Sequence, residues 1–198
     1  MKPAGTQGTS LSQQPQSLRS GDIAFARMEK VNAELVAITY GALVSQLFQD
    51  TTGNAATVSQ SLDRIGYNMG IRMVDEFLAK SIGINSCSSF NESMEVLTRV
   101  AVKMFVGIDC ELIEVIANQK YVINFPENPL NDFVELPVNL KSSGFSYSSL
   151  YCGMIRGAFE QLHMRVACQY VKDTLWGDDV NSIQVTLEGI IRPDDDED

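Results

Sequence analysis

Apolar residues between Arg27 and Phe48 recur at steps of three and four. Val31, Leu35, Ile38, Ala42 with Leu43, and Leu47 have the spacing that aligns side chains on one helix face. Asp50 to Asn54 ends the run. Ala33, Val36, Ala37 and Tyr40 fall off that stripe, so the helix carries more apolar surface than one face holds, which predicts burial on two sides. A partner on the second side and a helix sandwiched within its own domain both satisfy the pattern. A second helix is predicted over Thr57 to Lys80, where Val58, Leu62, Ile65, Met69, Met73 and Phe77 keep the same period through Gly66 and Gly70. Those glycines mark close packing or a bend. A third helix, capped near Ser89 or Asn91, carries Met94, Leu97, Val100, Ala101, Met104 and Phe105 and stops at Gly107.

Beyond Gly107 the period changes to two. Tyr121, Ile123 and Phe125 alternate with Val122 and Asn124, and Ala117 to Lys120 turns a hairpin back from Leu112 to Val115. Pro129 and Pro137 hold Leu130 to Leu136 as a short helix or turn. A fourth long helix follows from about Ser148 to Leu162. Its Gly153 and Gly157 each cost about 1 kcal/mol relative to alanine, so another element must approach that face closely. Arg156 and Glu160 are spaced as a weak i,i+4 pair. Met164, Val166, Cys168 and Tyr170 then alternate with polar neighbours, as do Ile183, Val185 and Leu187, giving two half-buried strands joined across Gly177 to Asp179. This order predicts an α+β fold, an antiparallel sheet of about four strands covered by long helices.

At 198 residues and 44% hydrophobic, the chain suits a single domain, expected over residues 21–192 between a polar, disordered tail (1–20) and an acidic tail (193–198). The net charge is −10, and Asp194, Asp195, Asp196, Glu197 and Asp198 supply five of those negatives. That balance disfavours nucleic acid. Cys87, Cys110, Cys152 and Cys168 are scattered without C-x-x-C spacing, and His163 is the one histidine, so neither a metal site nor a disulfide framework is expected. No N-terminal signal segment and no bilayer-length apolar run is read, and Lys2 excludes N-myristoylation. A cytoplasmic protein, at most peripheral on membranes, is the expectation.

Phosphate-binding, nucleophile-elbow and zinc-protease motifs are absent, and one histidine leaves little for acid–base chemistry. Asp75 beside Glu76, and Asp132 near Glu135, read as solvated surface or caps. An enzyme using Cys87 with His163 lacks an orienting third group. Cys87 itself stands just before the third helix, where the helix dipole favours a thiolate. The plainer reading is a small buried hydrophobe.

The segments TYGALVSQLFQD (Thr39 to Asp50), GYNMGIRMVDEFLAK (Gly66 to Lys80), NPLNDFVELP (Asn128 to Pro137) and CGMIRGAFE (Cys152 to Glu160) resemble, in order, the Bet-three type of small subunit of the transport protein particle, TRAPP. The resemblance runs from about Gly21 to Arg192. It implies long helices on a twisted antiparallel sheet. It also implies a non-enzymatic core subunit of a vesicle-tethering complex at ER-to-Golgi and Golgi membranes, supporting nucleotide exchange on a Rab/Ypt GTPase through assembled surfaces. Homodimers, or heterodimers with related small subunits, are implied through the first two helices. Cys87 matches the family cysteine that carries palmitate in an internal tunnel, and Ala101 matches a tunnel-lining position where a long side chain would block it. Palmitate on Cys87 would be core rather than anchor, and no other cofactor is implied. Asp194 to Asp198 would lie near the GTPase and compete for its nucleotide or magnesium region. Ser86 stands where family members often carry arginine, so a cation that lowers the thiol pKa is missing. The alternative class is a stand-alone lipid-binding or acyl-carrying protein.

Overall fold

Asparagines start the two longest helices in the same way. The Asn32 side chain accepts from the Leu35 amide at 2.8 Å to open α2 (Ala33–Asp50), and Asn54 accepts from Thr57 at 3.1 Å to open α3 (Ala55–Lys80). In the computed structural model the chain is described over residues 16–81 and 87–192. A shorter helix, α1 (Gln16–Arg27), precedes them and begins inside the stretch expected as tail. Ala24 is buried, and Gly21 lets α1 lie directly on the Arg99 carbonyl, where a Cβ would collide.

The third predicted helix starts at Ser89, whose hydroxyl accepts from the Glu92 amide at 3.2 Å while Glu92 reaches back to the Ser88 amide at 2.8 Å. It runs as α4 (Phe90–Val96), a π-helical stretch (Leu97–Ala101) and α5 (Val102–Val106), and Gly107 closes it at φ 82°. The sheet follows as two hairpins, β1 (Glu111–Ile116) with β2 (Lys120–Phe125) and β3 (Met164–Lys172) with β4 (Asn181–Ile190). Its order is β1-β2-β4-β3, antiparallel throughout, with Ile123 opposite Ile183 and Cys168 opposite Val185. A 3-10 turn (Pro129–Asn131) and a short helix α6 (Val138–Ser142), the latter not foreseen, connect the hairpin to α7 (Ser149–Glu160).

One sheet face is apolar. Tyr121, Ile123, Phe125, Met164, Val166, Ile183 and Val185 pack there with Phe90, Met94 and the Cys152, Ile155 and Phe159 face of α7. A second core joins Tyr40, Val44, Val58, Leu62, Phe145, Tyr147 and Leu150. Between the two, α3 and α7 lie in backbone contact. A Cβ on Gly66 would land on the Leu150 carbonyl, on Gly70 on that of Met154, on Gly153 on that of Asp63, and on Gly157 on that of Tyr67. The close approach expected from the glycines is therefore reciprocal, two from each helix.

The two apolar sides of α2 are not equally buried within the domain. Ala37, Tyr40 and Val44 are buried, whereas Leu35 is 60% and Ile38 59% exposed. Tyr40 decides this: its hydroxyl donates to the Tyr147 carbonyl at 2.5 Å and its ring meets Tyr147 edge-on at 5.0 Å. Arg156 also departs from expectation. It pairs with Asp63 of α3 across the glycine contact rather than with Glu160. Glu160 instead accepts from the Tyr67 hydroxyl, and that bond holds the phenol's pKa above its usual value.

Candidate functional site

Side chains that are small or apolar on four neighbouring elements leave a partly open chamber of about 210 Å³ between α3, the α4–α5 helix, α7 and the sheet. None of its lining side chains is charged, and those of Cys87, Ser93, Cys110 and Tyr151 are the ones that carry a polar group or a thiol. Because Gly66 meets Leu150 and Gly70 meets Met154, α3 and α7 run in the same direction, so their C-terminal ends lie together. Phe77 and Leu78 of α3 and Leu162 after α7 line that end of the chamber. Phe90 sits beside that wall, its ring 5.6 Å from that of Phe159, which does line the chamber. Cys87, three residues before Phe90, lines the chamber at this same end. From there the wall follows Ser93, Leu97 and Ala101 to Phe105 and Val106. The opposite end is formed by Cys110, Tyr151 and Phe125, with the Tyr151 and Phe125 rings 6.2 Å apart.

Cys87 and Ala101, which the sequence places fourteen residues apart, thus line one cavity. Ala101 closes the π-helical stretch, whose extra residue per turn widens the helix along the chamber wall. Cys87 is half-buried and free. Burial raises its thiol pKa and the Glu92 carboxylate adds to this, while a hydrogen bond with Ser93 draws it partly back. Burial thus works against the thiolate that the helix N-terminus was expected to favour. Ser86 and Asp194 to Asp198 lie outside the described residues. His163 sits exposed in the turn after α7 at φ 57° and does not line the chamber, so no Cys87–His163 pair forms there.

Cys110, Tyr151 and Phe125 escaped sequence reading. Strand alternation placed Phe125 inward, but nothing local says that three inward groups from different elements converge. Burial pushes the Cys110 thiol up to about 12. Among the described residues no cluster of His, Cys, Asp and Glu fits a metal ion, and no helix is long and apolar enough to cross a membrane. Outside the chamber, α2 exposes Leu35, Val36, Ile38 and Leu43 along one side.

Fold and chamber define an α+β protein whose helices enclose an apolar space opening onto a thiol. Residues 36–186 match the family described as Transport protein particle (TRAPP) component. The chain is 44% identical over 172 residues to Trafficking protein particle complex subunit 3 of Dictyostelium discoideum, covering 86% of this chain and 91% of that one. It is 35% identical over 167 residues to Trafficking protein particle complex subunit BET3 of Saccharomyces cerevisiae, covering 84% and 86%. A crystal structure of trafficking protein particle complex subunit 3 from Naegleria fowleri, covalently bound to palmitic acid, superposes with a TM-score of 0.76 at 44% identity, covering 83% of this chain and 99% of that one. The chain belongs to the TRAPP component family.

Proposed function

We propose that this protein is a structural core subunit of a TRAPP vesicle-tethering complex acting in ER-to-Golgi and Golgi traffic, with a long acyl chain carried as a thioester on Cys87 inside the chamber. The observation that carries the acyl reading is an uncharged, partly open cavity with a free thiol at one end. The step is thioester exchange. The Cys87 thiolate attacks the carbonyl carbon of an acyl-coenzyme A, the new C–S bond forms as the coenzyme A thiolate leaves, and the proton lost by Cys87 goes to solvent. The chain then becomes part of the core, since its methylenes leave water for apolar walls.

Intact mass before and after hydroxylamine tests this, with Cys87→Ser beside it. A palmitoyl-sized excess that hydroxylamine removes and the variant lacks is expected; an unmodified protein after incubation with palmitoyl-coenzyme A sinks the reading. Because the thiol pKa lies above its usual value, the thiolate is scarcer at neutral pH than in a free cysteine. Acylation should therefore speed up about tenfold per pH unit and keep rising past about pH 8.5, where an unperturbed thiol levels off.

Association is assigned to the outward side of α2, where Leu35, Val36, Ile38 and Leu43 stay exposed on a helix already held to its own domain by Tyr40. A second copy or a related small subunit covers it, and a stand-alone lipid carrier would have no use for it. The assembled complex promotes nucleotide exchange on a Rab/Ypt GTPase, and this chain contributes surface rather than an acid, base or nucleophile. Ile38→Glu should leave the fold intact, lower the mass seen by light scattering to that of a monomer, and remove the chain from a reconstituted complex together with its share of GDP release. A variant that assembles and exchanges normally would place the interface elsewhere.

A further inference from the structure

The chamber has an end opposite the thiol, and that end is built differently from its walls. Tyr151 donates its hydroxyl to Asn128 at 3.2 Å, and Asn128, 6% exposed, is itself tied to Ser148 at 2.9 Å and to the Leu130 amide at 3.0 Å. Phe125 is held in β2 between Tyr151 and Tyr170, with both ring pairs at 6.2 Å. Past Tyr151, then, lie buried polar groups whose hydrogen bonds already have partners. A methyl terminus advancing there would strand them without gaining apolar contact.

Length along the wall can be matched to a ligand. Ser93 and Val106 are thirteen residues apart, about 20 Å of helix rise. A saturated chain of sixteen carbons, with bonds of about 1.5 Å in an extended zigzag, spans about 19 Å. We propose that Tyr151, Phe125 and Cys110 form a stop that sets the longest acyl chain the chamber accepts, near sixteen carbons, with Tyr151 fixed in place by Asn128. This rests on the acyl reading of the chamber above.

Two variants move the stop in opposite directions. Tyr151→Ala removes the phenol and leaves Asn128 its bonds to Ser148 and Leu130, so the chamber lengthens. Cys110→Phe fills the last part of it. The protein is incubated with saturated acyl-coenzyme A thioesters of twelve to twenty carbons and read by hydroxylamine-sensitive mass. In parallel, the matching free fatty acids are titrated against a fluorescent polyene fatty acid, with Cys87→Ser included. Wild type should lose about tenfold or more between sixteen and twenty carbons. Tyr151→Ala should lift that loss, and Cys110→Phe should move the preference to shorter chains. The same length profile in all three proteins overturns the stop, as does the absence of both thioester and fatty-acid binding at every length. Fatty-acid profiles that shift as described without any thioester on Cys87 would uphold the stop and refute acylation.

Discussion

Gly153→Val is expected to be among the most destabilising single substitutions in this protein. A Cβ on residue 153 falls onto the Asp63 carbonyl and close to the Tyr67 amide, which are backbone atoms of α3 with no rotamer to retreat into. Gly66, Gly70 and Gly157 hold the same contact along its length, so the helices cannot separate at one point without opening all four. Separation would also pull Arg156 away from Asp63 and widen the chamber that both helices line. Overpacking of flexible side chains costs about 1–3 kcal/mol, and a backbone-on-backbone collision exceeds that range. Against a total of about 5–15 kcal/mol, the loss is a large share. At about 2–4 °C per kcal/mol for a chain of this size, the midpoint of thermal unfolding should drop by about 10 °C or more. Gly189→Ala is the control, since a Cβ there meets nothing within 4 Å. Equal stability of Gly153→Val and wild type would mean that the helix contact is not set by the missing side chains.

Ala101→Leu should have opposite effects on the empty and the acylated protein. Leucine projects three further carbons into the chamber that Ala101 lines. In the Cys87→Ser background, where no thioester forms, this fills space and should raise stability by about 1 kcal/mol. In the acylated protein the same carbons occupy the path of the lipid. Burying a sixteen-carbon chain is worth at most about 10 kcal/mol at about 0.8 kcal/mol per methylene, an upper figure because the chain must also be ordered. The variant forfeits most of that. Its S-acylated fraction should fall at least about tenfold, and its unfolding temperature should no longer rise when palmitoyl-coenzyme A is added. Stoichiometric palmitate on Ala101→Leu would show that the lipid does not run past this residue.

The order of elements was legible because each is a local pattern. Val58, Leu62 and Phe77 lie on one helix, Tyr121, Ile123 and Phe125 on one strand face, and Ser89 and Gly107 bound the helix between them, whatever those elements pack against. The four glycines were legible as close approach for a similar reason, since a helix tolerates their propensity cost only where backbones touch. Cys87 and Ala101 were reached through family resemblance; composition and spacing alone allowed Cys87 to be an inert core residue.

What the chain could not announce are relations between elements. Periodicity marked two apolar sides on α2, but which side meets the domain depends on Tyr147, more than a hundred residues away, accepting the Tyr40 hydroxyl. Arg156 had a carboxylate four residues on and took one on another helix, because the glycine contact brings Asp63 nearer than local geometry brings Glu160. The Cys87 thiol was placed at a helix terminus by sequence, yet its pKa is governed by burial, a property of everything packed around it. The end of the chamber opposite the thiol joins Cys110, Phe125 and Tyr151 from just before one strand, the end of the next and a helix. Side-chain period is a property of one backbone segment and survives in the sequence; the choice of neighbour is a property of the packed chain and exists only once the segments have met.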